Sequence, residues 1–122
     1  MVSDSQKRLK SLRSRSEFLE ISRTGNQVRP CGWLILAYRQ NTLKEMRCGW
    51  TIPRYVGGAV VRNRLRRWCR EYFRTKTSLR SRSLDINIIF RRREKDFFKN
   101  VEREELYSCL DRAVGKLARK AK

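Results

Sequence analysis

Val61-Arg62-Asn63-Arg64-Leu65-Arg66-Arg67-Trp68-Cys69-Arg70-Glu71-Tyr72-Phe73 is the stretch on which the fold turns. Its apolar residues stand at positions 61, 65, 68, 69, 72 and 73. At about 100° per residue they close into one stripe, which predicts a helix with a single buried face. Gly57-Gly58 breaks the chain just ahead of it. On the opposite side fall Asn63, Arg66, Arg67, Arg70 and Arg74, with Arg62 and Arg64 on the flanks. Solvated helix faces usually mix charge signs, because like charges four residues apart repel. Here Arg62, Arg66, Arg70 and Arg74 form a same-sign ladder relieved only by Glu71. Such a ladder predicts a bound polyanion; the alternative is a plain solvated face.

Before this helix, Arg47 to Ile52 alternates Cys48, Trp50 and Ile52 with Gly49 and Thr51. That pattern predicts a strand, which Pro53 ends. Residues 39–46 form a polar turn, and Val28 to Tyr38 is β-like, so the two apolar stretches read as a hairpin. Ser14 with Glu17 fits a capping box. Phe18, Leu19 and Ile21 follow in a short helix, and Gly25 is its expected left-handed stop. After the basic helix, residues 75–83 read as a polar loop and Leu84 to Phe90 as a strand buried on both sides toward its end. Residues 96–119 repeat helical spacing through Val101, Leu106, Leu110, Ala113, Val114 and Leu117. The expected order is α-β-β-α-β-α, a small α+β sandwich forming one domain over residues 1–122. Residues 1–13 and 116–122 read as flexible basic tails.

Charge sharpens the polyanion reading. The 122 residues carry 31 Lys+Arg against 12 Asp+Glu, a net charge of +19, with no His. Of the basic residues 22 are Arg, whose planar fork grips phosphate in bidentate fashion and stacks on bases. Residues 46–84 hold eleven basic residues and one acid, whereas 85–111 are near balance. Without imidazole, no triad or histidine-based metal site exists. The four cysteines lie too far apart in sequence for a zinc-type pair and read as free thiols in a reducing compartment. No paired carboxylates stand in the basic middle, so catalytic and metal-binding residues are both expected to be none. Neither a secretory signal nor a membrane-length apolar run is present, and a cytoplasmic location is expected.

The run Cys48-Gly49-Trp50-Thr51-Ile52-Pro53-Arg54-Tyr55-Val56-Gly57-Gly58-Ala59-Val60-Val61-Arg62-Asn63-Arg64-Leu65-Arg66-Arg67, continued by Arg70-Glu71-Tyr72-Phe73, resembles the protein subunit of bacterial ribonuclease P. Leu12, Phe18 and Gly25 match that family's opening helix, and Leu84-Asp85-Ile86-Asn87-Ile88-Ile89 its D-x-x-I-I strand. The chain departs at Gly58, where a Lys or Asn is usual, at Arg66 for Lys, and at Ser22, where relatives can carry a second aromatic.

The resemblance implies a ribosomal-protein-S5-domain-2-like fold with a left-handed β-α-β crossover; the residues alone suggest a right-handed one. It implies a subunit of an endoribonuclease whose RNA is the catalyst. That RNA, with Mg2+ held mainly by RNA and substrate, removes the 5′ leader of precursor tRNA. The protein alone is expected to be inactive. Its expected partners are the catalytic RNA and precursor tRNA, with no DNA and no membrane. Arg62, Asn63, Arg64, Arg66, Arg67, Arg70 and Arg74 are the expected RNA-binding residues. For a leader cleft the candidates are Phe18, Trp33, Tyr38, Trp50 and Arg54, because single strands need aromatic platforms in a basic groove. Each of the four aromatics can instead be a core residue. The competing function is a structural RNA-binding protein of ribosomal type.

Overall fold

The computed structural model describes residues 9–75 and 77–120. In chain order the elements are β1 (Lys10–Ser11), α1 (Arg15–Thr24), β2 (Asn26–Cys31), β3 (Leu34–Gln40), β4 (Arg47–Thr51) and a 3-10 turn (Arg54–Val56). Then come α2 (Ala59–Arg74), α3 (Thr77–Arg80), β5 (Leu84–Phe90), α4 (Phe97–Asn100) and α5 (Arg103–Lys120). The strands form one sheet in the order β1-β4-β5-β3-β2. β5 runs antiparallel to β3 and parallel to β4, so α2 is the crossover from β4 to β5.

Strand alternation sorts the side chains into two layers. Leu34, Leu36 and Tyr38 of β3, Cys48 of β4, and Ile86, Ile88 and Phe90 of β5 share one core with Leu65, Cys69 and Phe73 of α2 and Leu106, Leu110 and Leu117 of α5. The other face carries a small separate cluster of Leu12, Ile21 and Ala37, against which Phe18 and Ile89 pack. α1 lies on that face. Ser14 accepts from the Glu17 N–H while the Glu17 side chain returns to the Ser14 backbone, which is the expected capping box.

Several expectations need correction. The 28–52 hairpin does not form, because β5 is inserted between β3 and β4. Its seven residues are the most apolar strand available, and the centre of a sheet is the place for a strand buried on both faces. The stretch 28–38 is itself two strands, folded back at Gly32-Trp33 with Cys31 opposite Leu34. The loop 75–83 contains α3, held by the buried Leu79. The last helix is two, broken at Val101, which is extended. Residues 1–8 of the expected N-terminal tail lie outside the described residues. Lys10–Ser11 nonetheless pairs with β4, and Leu12 is buried. At the other end Leu117 is buried in α5, so residues 116–120 are helix rather than tail. Gly25 stops α1 in an extended conformation (φ −88°, ψ 179°), not a left-handed one. It is glycine for space: a Cβ there would lie 2.4 Å from the Tyr38 carbonyl oxygen.

Candidate nucleic-acid interface

α2 presents the cationic surface. Its buried side is Leu65, Cys69, Tyr72 and Phe73, and Phe73 stacks on Trp50 with ring centroids 6.0 Å apart. The Tyr72 hydroxyl donates to Asp111 and so ties α2 to α5. On the outer side Asn63, Arg67, Arg70 and Arg74 are exposed and Arg62 and Arg66 half-buried. Arg62 Nε donates to the Gly57 carbonyl at 3.1 Å, and Arg66 Nη1 donates to Asn63 Oδ1. Among the described residues, none of these arginines is ion-paired with a carboxylate. Five guanidinium groups therefore share one helix side with no counter-charge bound to them.

Arg64 is different. Its Nη2 donates to the Phe98 and Lys99 carbonyls, both at 2.9 Å, and its guanidinium lies 5.1 Å from the centre of the Trp68 ring. Those carbonyls end α4, so Arg64 closes a helix C-terminus and holds α4 against α2. The motif spacing that groups it with Arg62 and Asn63 does not show this.

The α1 side of the sheet is built from the alternate residues. Arg47, Gly49 and Thr51 of β4 sit beside Asp85, Asn87 and Ile89 of β5. Half-buried Phe18 lies directly over Gly49, where a Cβ would come 2.5 Å from its ring atoms. Thr51 Oγ1 donates to Asn87 Oδ1 at 3.1 Å. Arg54 follows β4, exposed in the 3-10 turn. Beside it the Tyr55 hydroxyl donates to the Phe90 carbonyl, and Arg92 lies 4.5 Å from the Tyr55 ring centre. Arg91 and Arg92, both exposed after β5, thus extend the basic surface. Their signal was present as three consecutive arginines behind an apolar strand.

Asp85 is fully buried on this face. Arg47 grips it with two bonds, Nε to Oδ1 at 2.9 Å and Nη2 to Oδ2 at 2.8 Å. Asn41 Nδ2 donates to Oδ1 at 2.8 Å, and Arg39 Nη2 stands 3.2 Å from Oδ2. Burial alone would push this carboxyl up; the bonds from Arg47 and Asn41, with the charges of Arg47 and Arg39, outweigh it and hold the carboxyl below its ordinary value. Arg47 also pairs with Glu17. The Ser14 and Arg13 backbone N–H groups, with Arg47 beside them, hold Glu17 at about 2 from an ordinary 4.5. The chain Glu17–Arg47–Asp85 fastens α1 to the sheet and spends Arg47 and Arg39 on the fold.

Three aromatic candidates for the cleft lie on the opposite, α2–α5 side. Trp33 is 8% exposed and packed among Phe90, Phe97 and Phe98. Tyr38 is buried in the same core, and Trp50 is occupied by Phe73. Parity is the reason: if Gly49 lies under Phe18, Trp50 must point the other way. Of the four aromatics only Phe18 shares a face with Thr51. Ser22 is exposed on α1. No helix among the described residues is long and apolar enough to cross a membrane.

The chain matches the family model described as Ribonuclease P over residues 6–118. The ribonuclease P protein component of Thermotoga maritima is 32% identical over 118 residues, covering 93% of this chain and all of that one. That of Gluconacetobacter diazotrophicus is 40% identical over 63 residues, covering 52% of this chain and 54% of its own. Among solved structures, the Thermotoga maritima RNase P protein in complex with 1-(4-fluorophenyl)-2-thiourea aligns with a TM-score of 0.73 at 31% identity, over 81% of this chain and 92% of that one. The Staphylococcus aureus RNase P protein shares the fold, with a TM-score of 0.72 at 22% identity over 88% and 94%.

Proposed function

The chain belongs to the ribonuclease P protein family, and from that membership we propose how its two surfaces serve the ribonucleoprotein. As a family member it is the protein subunit of ribonuclease P, partners the ribonuclease P RNA and acts in tRNA 5′ processing. In our reading the α2 ridge binds the catalytic RNA. The strip from Phe18 past Thr51 to Arg54, extended by Arg91 and Arg92, holds the single-stranded leader of precursor tRNA. The work takes place in the cytoplasm.

Cleavage itself we assign to the RNA. The chain has no imidazole. Among the described residues no three carboxylates or thiols gather into a metal site. The buried carboxylate, Asp85, has both oxygens committed to Arg47, Arg39 and Asn41. These donors do not fit Mg2+, so the ions are to be held by RNA and substrate, and the protein alone should not cleave.

The observation that carries the reading is the row of guanidinium groups on α2 without carboxylate partners. Contacts from such a row go mainly to phosphate and position rather than specify. If about five phosphates are neutralised, the log–log salt dependence of binding to transcribed ribonuclease P RNA should have a slope near about −4. Arg67→Ala, at an exposed position of α2, should reduce its magnitude by about one unit. A slope near zero would show that the ridge is only a solvated face.

A further inference from the structure

Where α2 meets the start of α5, the surface carries a feature that phosphate binding does not use. Trp68 follows the exposed Arg67 and is half-buried against the main core. The Arg64 guanidinium lies 5.1 Å from its ring centre and is itself pinned by the Phe98 and Lys99 carbonyls, both at 2.9 Å. The indole is therefore held in place before any ligand arrives. The chain breaks between α4 and α5 at Val101, and a cavity of about 410 Å³ opens there, lined by Trp68, Val101, Glu102, Arg103 and Glu104. That volume falls in the range of small-ligand pockets, about 300–1,000 Å³. Glu102, Arg103 and Glu104 are exposed. Glu104 stands 3.8 Å from Arg103 Nη2, and Glu105 accepts from the Glu102 N–H at 3.2 Å. The Glu102 carboxylate is in no hydrogen bond or ion pair among the described residues.

We propose, resting on the reading that α2 binds the ribonuclease P RNA, that this cavity receives one unpaired guanine of that RNA, stacked on Trp68 and bonded through its Watson–Crick edge to the Glu102 carboxylate. Every base has a π face for an aromatic platform, which suits a Trp on the same helix as a cationic ridge. The carboxylate selects among the bases, because it only accepts hydrogen bonds. Guanine offers it two adjacent donors, N1–H and the N2 amino group. Adenine and cytosine place an acceptor beside their amino group, and uracil flanks its N–H with two carbonyls, so each of them sets a lone pair against the carboxylate. Arg67, next to Trp68, and Arg103, on the cavity wall, are exposed and can take the flanking phosphates. A basic peptide also suits an indole and a carboxylate, but a chain of net charge +19 repels it. On a helix that otherwise positions RNA through phosphate, this cavity is the point that reads a base.

The test titrates the full chain with transcribed ribonuclease P RNA over a range of salt, beside a thermal melt. Trp68→Leu should bind on the order of ten-fold more weakly. Its log–log salt slope should match that of the unsubstituted chain, because stacking releases no counterions. Its Tm should stay close to that of the unsubstituted chain. Glu102→Gln, at an exposed position, tests the sign: removing a negative charge near RNA ordinarily tightens binding, whereas here it should weaken it several-fold. Guanosine 5′-monophosphate added to the free chain should shift the Trp68 indole N–H resonance, and adenosine 5′-monophosphate should not. If Trp68→Leu binds as tightly as the unsubstituted chain while the salt slope is intact, the base site falls and the ridge stands; a slope near zero in the unsubstituted chain removes both. Tighter binding by Glu102→Gln would also overturn the proposal. So would an equal indole shift with both nucleotides, or a shift with an oligolysine peptide alone.

Discussion

The two faces of the central sheet are finished differently. On one, α2 and α5 together cover Leu34, Leu36, Cys48, Ile86, Ile88 and Phe90 with a continuous apolar layer. On the other, the ten-residue α1 rests on a cluster of three buried residues, Leu12, Ile21 and Ala37. The buried polar residues among those described, Asp85 and Asn87, both point to this second face. The first face supplies stability by area. The second is fastened by charge and hydrogen bonds and keeps a strip of sheet beside exposed arginines. A groove for a polyanion needs such a half-covered face, since a fully packed one leaves nothing for a ligand to displace.

The sharpest way to break the comparison is on the packed face. Phe73 is fully buried and stacked on Trp50. Phe73→Ala should lower stability by about 3–5 kcal/mol in a chemical denaturation series. A loss as small as that of an α1-side aromatic would mean that the two faces are not different in kind.

Next in size is the electrostatic fastening. Arg47→Ala leaves Asp85 buried with only Arg39 and Asn41, and should cost about 3 kcal/mol. Adding Asp85→Asn should recover part of that, because the uncompensated charge is then gone. No recovery in the double variant would show that Arg47 acts by packing alone.

Much of this division was legible beforehand. The 61–73 periodicity identified α2 and its two sides, and Ser14 with Glu17 identified the start of α1, because helix faces and caps are local properties. Strand pairing is not local. Adjacent stretches suggested a hairpin, and only the demand for a doubly buried central strand places β5 between β3 and β4. The same non-locality hid the roles of the aromatics and of Arg64. Trp33 finds Phe97 and Phe98, more than sixty residues away, and Arg64 finds the end of α4. Gly49 was the one local clue to parity, since a glycine amid larger strand residues marks a close approach.

Acid should loosen the α1 side first. Glu17 is held at about 2 in the fold against an ordinary 4.5. A depressed carboxyl contributes stability above its unfolded value and loses it as pH falls through the folded one. Stability should therefore decline between about pH 4.5 and 2, with Asp85, also lowered, acting in the same direction. Glu17→Gln should be less stable at neutral pH and show a shallower decline in acid melts. Equal slopes in both proteins would remove Glu17 from the fastening.

The smallest effect on the fold, and the one that bears most on substrate, belongs to Phe18. Its ring lies half-buried over Gly49, so truncation removes part of one contact layer and leaves the main core intact. Phe18→Ala should cost about 1.5 kcal/mol of stability, well below the loss at Phe73. Base stacking on an aromatic platform is worth about 1–3 kcal/mol, a several-fold to roughly hundred-fold change in affinity. With Trp33, Tyr38 and Trp50 turned to the other side and Ser22 in place of an aromatic, no second ring on α1 or β4 can take over. Holoenzyme reconstituted with Phe18→Ala should therefore bind leader-bearing precursor tRNA several-fold more weakly, while its affinity for mature tRNA stays within about two-fold. A melt that collapses while the leader preference survives would make Phe18 a core residue. The half-covered face would then hold its ligand by the arginines alone.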